Sequence, residues 1–174
     1  MPGSKLRLYV ALYPSGVVDN EQQKYHWGLL IGPKNESGPN VPGTRFHVKN
    51  LAWEGWKYEE HDLPNVRCSN SLLARILVAK VEDRARLVSI LRNVPIVQND
   101  PKWRCRTWIA SALEALRRDG KAVGTSEMSW ERIEAKGREY VAGKMASGRY
   151  KQEPRELAKP RPTWDLIVNK ETVK

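Results

Sequence analysis

Polar and apolar residues alternate through Lys5-Leu6-Arg7-Leu8, and the chain then turns wholly apolar through Tyr9-Val10-Ala11-Leu12-Tyr13. That pattern predicts a strand entering a core, ended by Pro14-Ser15-Gly16. Tyr25-His26-Trp27-Gly28-Leu29-Leu30-Ile31 predicts a second strand, apolar enough to lie centrally in a sheet and closed by Gly32-Pro33. The proline-rich segment between Gly32 and Gly43 reads as a long loop, after which Thr44-Arg45-Phe46-His47-Val48-Lys49 alternates cleanly as a third strand paired with the second. Trp53, Trp56 and Tyr58 mark an aromatic strand reaching about Leu63, and Leu73 to Val81 another.

The period then changes. Asp83 is placed to cap a helix carrying Leu87, Ile90 and Leu91 and stopping before Pro95. A second helix has Asp100 as its expected N-cap and Pro101 as its first residue. Trp108, Ile109, Ala112, Leu113 and Leu116 form its apolar stripe, and Asp119-Gly120 its end. Ser129 opens a third, more polar helix to about Met145 with Ile133, Tyr140 and Val141 as core contacts. A β-rich first half followed by helices defines an α+β domain, an antiparallel sheet packed against helices. From Ser147 the chain is charged and punctuated by Pro154, Pro160 and Pro162. Residues 147–174 therefore read as a flexible tail on a domain of residues 1–146. In that tail Trp164-Asp165-Leu166-Ile167-Val168 is a segment that docks on the domain or on a partner.

At 174 residues the chain has room for one domain, and its 40% hydrophobic content excludes global disorder. No apolar run approaches the roughly 18 residues of a membrane span, and Met1-Pro2-Gly3-Ser4-Lys5 lacks a secretory apolar stretch. The expectation is an intracellular protein, cytoplasmic or else nuclear. Thirty Lys plus Arg against twenty Asp plus Glu gives a formal charge of +10, which favours an acidic partner or nucleic acid. The basic residues are nevertheless dispersed and accompany no nucleic-acid-binding signature. Two cysteines, Cys68 and Cys105, supply no disulfide framework, and no Cys/His spacing marks a metal site. No cofactor is expected.

The chemistry that remains is a thiol and a histidine. Cys105 lies near the start of the second helix between Lys102, Arg104 and Arg106, where helix dipole and charge favour thiolate. His26 sits in a central strand, from which a helix-on-sheet packing can present a base to that thiol. Taken singly, each residue also reads as an ordinary core group. Cys68, beside Arg67 in a turn, has no histidine partner and reads as a bystander. Trp53 and Trp56 are the aromatics best placed to be exposed and to hold a ligand.

The wording of these segments adds to this reading. Tyr25-His26-Trp27-Gly28-Leu29-Leu30-Ile31-Gly32 resembles the His-Trp-Gly/Ala-x-Tyr-x-Gly strand of lecithin:retinol acyltransferase-like proteins. Phe46-His47-Val48 is similar to the family's Ile-His-Leu segment, and Cys105-Arg106-Thr107-Trp108 to its Cys-x-x-Phe helix start. The order, spanning Lys24 to Leu116, resembles a circularly permuted NlpC/P60 domain, a papain-like fold with the histidine strand before the cysteine helix. The resemblance implies Cys105 as nucleophile, His26 as general base and acid, and His47 as the polar residue that orients the imidazole, with His61 a weaker alternative for that third place. Tyr25, Trp27, Arg104 and Trp108 would then flank the substrate cleft, and the backbone N–H of Cys105 would supply an oxyanion donor.

Arg104 replaces the Asn that commonly precedes the cysteine, and Leu30 replaces the strand aromatic. The implied activity is accordingly a cysteine hydrolase (peptidase, amidase or thioesterase-like) acting on an acyl, amide or peptide substrate, ahead of a lipid acyltransferase. Two rivals stand beside it: a catalytically silent domain of the same fold that binds nucleic acid or another acidic partner, and an interaction protein that recruits its partner through the tail. The 32–43 loop reads either as a cover for the cleft or as an ordinary hairpin loop.

Overall fold

The computed structural model describes residues 5–69, 71–151, 155 and 158–174; Pro154 of the expected tail and residues 1–4 fall outside them. Its strands are β1 (Leu6–Pro14), β2 (Tyr25–Pro33), β3 (Gly43–Leu51), β4 (Gly55–Leu63), β5 (Ala74–Val81), β6 (Val123–Ser126), β7 (Thr163–Asp165) and β8 (Lys170–Val173). The helices are α1 (Arg84–Arg92), α2 (Cys105–Asp119) and α3 (Trp130–Ala146), and a 3₁₀ turn covers Glu21–Gln23. The class is α+β: one mostly antiparallel sheet in the order β4-β3-β2-β1-β5-β7-β8, with β6 also on β5. No helix of the described residues is long and apolar enough to cross a membrane.

Alternation along the strands divides the side chains between two cores. Leu8, Val10 and Leu12 of β1 join Trp27, Leu29, Ile31, Phe46 and Val48 in the core that packs against the three helices. Tyr9, Ala11, Tyr13 and Leu30 point to the other face, where Val41, Val66 and Leu72 cover them. His26 stands opposite Tyr13 in the β1–β2 ladder, so it belongs to this second face, away from the helices.

α1 and α3 start at the expected caps: the Asp83 carboxylate accepts from the Arg86 N–H, and Ser129 Oγ from the Arg132 N–H. α2 starts later than expected. Asp100 instead accepts the Lys102 N–H in a separate turn that buries Trp103, and Arg104 is fully extended before the helix begins. Burying Trp103, edge-on to Trp56 at 5.5 Å, outweighs the helix start that Asp100-Pro101 encodes, and Cys105 becomes the first helical residue.

Residues expected in the tail are part of the sheet. β7 runs parallel to β5 and β8 closes back on β7, and Tyr140 of α3 bonds Glu171 of β8. The docking segment therefore packs on the domain. The 34–42 loop is held on the second face: Arg75, wholly buried, clasps Glu36 at 2.7 and 2.8 Å, while Arg67 donates to the carbonyls of Glu36 and Pro39. None of its residues lines the cavity described next.

Candidate active site

β2 and β3 are each nine residues long, yet they pair only at Leu29 with Phe46, Leu30 with Arg45 and Ile31 with Thr44. Below these pairs the strands part, and the start of α2 fits against the opening. There the backbone N–H of Trp27 in β2 and that of Arg106 in the first turn of α2 are directed at the Cys105 thiol. A cavity of about 350 Å³ opens at this point, and Cys105, His26 and His47 all line it. A thiol from the helix side and histidines from the opposite face of the sheet line one cavity because the sheet is split between them.

The histidines form a chain. His26 Nε2 lies 2.9 Å from His47 Nδ1, and His47 Nε2 lies 2.9 Å from Glu59 Oε2. His61 Nε2 reaches the same carboxylate oxygen at 3.1 Å. The bonds from His47 and His61 hold the Glu59 carboxyl below its ordinary pKa, so it is ionised at neutral pH and accepts only. His47, kept neutral by burial, must then donate from Nε2 and accept at Nδ1. His26 consequently donates from Nε2, and its Nδ1 carries the free lone pair. A carboxylate two hydrogen bonds away thus sets which nitrogen of His26 is basic.

Burial also sets the protonation of the pair. It is the largest influence on His26, pushing it down to about 4, with the charges of Arg45 and Lys49 acting in the same direction. Burial raises the Cys105 thiol as well, overriding the two N–H donors and the nearby Arg104 and Arg106. The thiolate expected from dipole and charge is not the resting form. At neutral pH the site holds a thiol and a neutral imidazole.

The other expected residues divide. Tyr25 and Arg104 line the cavity, whereas the side chains of Trp27 and Trp108 are fully buried in the helix-side core and do not. Trp56 lines the cavity, and Trp53 is 98% exposed at the β3–β4 turn. The Cys68 thiol donates to the Ala158 carbonyl, at 3.3 Å, and does not line the cavity. Half-exposed His61 bonds Glu59 and does not line the cavity.

Glu59 was not singled out by its sequence. Its signal lies in the hairpin: a turn centred on Trp53 sets Glu59 directly opposite His47. Among the described residues, His47, Glu59 and His61 also form the one group with metal-ligand chemistry, their ligand atoms within 4.8 Å of one another. The hydrogen bonds just described account for that proximity.

Replacing Glu59 with Gln is expected to slow alkylation of Cys105 roughly tenfold to a hundredfold, the scale known for losing the hydrogen-bond partner that orients a metal-bound histidine. Loss of the carboxylate also removes a charge that favours protonated His26, so the acid limb of the rate moves to lower pH. Nitrogen NMR of the imidazoles checks the cause: His26 should be the Nε2–H tautomer in the wild type and mixed in the variant. A wild-type Nδ1–H tautomer would sink this assignment.

The fold and cavity define an α+β domain with a buried thiol and a carboxylate-anchored histidine pair in one cleft. Residues 5–173 match a family of unknown function, DUF6914, and the chain belongs to it. No curated protein and no solved structure matches the chain.

Proposed function

We propose that the protein is a cysteine-dependent acyl hydrolase, with Cys105 as nucleophile, His26 as general base and acid, His47 as the residue that orients it and Glu59 as the anchor of both. The supporting observation is the Glu59–His47–His26 hydrogen-bond chain ending in the cavity that Cys105 also lines. The resemblance of the His26, His47 and Cys105 segments to a permuted NlpC/P60 domain points the same way.

The neutral pair calls for proton transfer during attack. The Cys105 proton passes to His26 Nδ1 as sulfur bonds the substrate carbonyl carbon. The bond to the leaving group then breaks, and the leaving group takes that proton from His26. Water, deprotonated by His26, attacks the resulting thioester and releases the acid, and the thiol regains its proton. The first N–H groups of α2 have no acceptor within the helix, so the Cys105 N–H is free to bond the oxyanion.

The test is incubation with activated thioesters, acid quenching and mass spectrometry of the cysteine peptides. An acyl adduct on the Cys105 peptide that decays on dilution is the expected result. Acylation confined to Cys68, or none in the folded protein, would favour the silent domain that binds an acidic partner.

A further inference from the structure

The cavity wall carries Arg45, Lys49, Arg104 and Arg106 and no aspartate or glutamate. The whole chain has thirty basic residues to twenty acidic ones, whereas the Lys, Arg, Asp and Glu residues of this lining are all basic. Position along the strands makes part of this wall. Arg45, His47 and Lys49 alternate onto the same face of β3.

The partners of these cations matter. Arg106 is engaged with Gln22, donating to its carbonyl at 2.8 Å, and contributes charge more than free donors. The Arg45 guanidinium lies 5.8 Å from the Tyr13 ring centroid, and its Nε is buried with no hydrogen-bond partner. Lys49 and Arg104 form no ion pair among the described residues, and the residue opposite Lys49 in the hairpin is another cation, Lys57, which pairs with Glu54. Glu59, behind His47, offsets part of this charge at His26 while Arg45 and Lys49 act against its protonation, and net positive charge beside a general base is costly because it disfavours taking up the proton. A bound anion removes this cost.

Resting on the reading of Cys105 as nucleophile, we propose that the substrate carries an anionic group, carboxylate or phosphate, close to the carbonyl that Cys105 attacks, held by Arg45, Lys49 and Arg104. A cavity of about 350 Å³ takes a small molecule or one end of a larger one. Binding would bring negative charge against the cations and make His26 a better base as the substrate arrives.

Two near-isosteric alkylating agents test this, iodoacetate (anionic) and iodoacetamide (neutral). Rates at Cys105 are read by mass spectrometry, with N-acetylcysteine amide as the reference thiol. The iodoacetate-to-iodoacetamide ratio is expected to exceed the reference about tenfold at low salt, and to fall about threefold in Lys49→Gln, the order of effect of removing one nearby unit charge in a water-like medium. It should also fall as salt is added. Lys80→Gln makes the same change in net charge away from the cavity and should leave the ratio unchanged.

The failures are distinguishable. A Cys105 inert to both reagents in the folded protein removes the nucleophile reading itself. Reaction with both at the reference ratio keeps the nucleophile and overturns the anionic substrate. Equal effects of Lys49→Gln and Lys80→Gln would also overturn it, in favour of a long-range field suited to a polyanionic macromolecule. Protection of Cys105 against iodoacetamide by inorganic phosphate or by acetate then identifies which anion the site prefers, and protection by neither counts against the proposal.

Discussion

Replacing Cys105 with Ser is expected to lower thioester turnover by at least about a thousandfold, since loss of a nucleophile leaves only binding and oxyanion contacts. The fold should survive. Oxygen replaces sulfur at a small, 7% exposed side chain, and the N–H groups of Trp27 and Arg106 that face the thiol can bond a hydroxyl. A hydroxyl is far harder to deprotonate than a thiol, and His26 at about 4 is a weak base, so serine has no compensating route. Steady-state rates with a thermal melt on the same sample check both halves. Cys105→Ala provides a second variant if serine perturbs the packing, and retained turnover in either folded protein would remove Cys105 from the mechanism.

His26→Ala is expected to cost about a hundredfold to ten-thousandfold in rate, the usual worth of a positioned general base. Its pH dependence distinguishes chemistry from packing. With His26 near 4, wild-type activity should lose its base only as the pH falls through about 4, and the acid limb should disappear in the variant. Stability changes over a different window. The unfolded histidine takes a proton near 6.5 and the folded one not until about 4, so protons bind the unfolded state first as the pH falls between those values. The wild type should therefore lose up to about 3 kcal/mol from this group across that range, a loss His26→Ala avoids. Denaturant unfolding at pH 7 and at pH 4.5 measures it. Identical pH sensitivity in the two proteins would mean that His26 is not held neutral by its surroundings.

Local pattern was sufficient for much of the scaffold. Alternation in Thr44–Lys49 and the apolar run of Tyr25–Ile31 specify strands, and Asp83 and Ser129 specify helix starts, because neighbouring residues decide backbone conformation there. The same alternation puts Arg45, His47 and Lys49 together on one face. Where burial competes with local preference, it prevails: Trp103 displaces the helix start from Pro101 to Cys105. The C-terminal Thr163–Asp165 is too short to announce itself as a strand, and only the open edge of β5 makes it one.

By itself, then, the sequence determined the class of fold, its first five strands and the residue types able to perform thiol chemistry. It also determined the charge of the β3 face, since each of these follows from spacing along the chain. Tertiary structure alone decided that β2 and β3 part, that Cys105 fits where they do, and that Glu59 anchors the two histidines. It also decided the protonation of the pair. A pKa depends on burial and on charges brought close from distant parts of the chain, and sequence spacing contains neither.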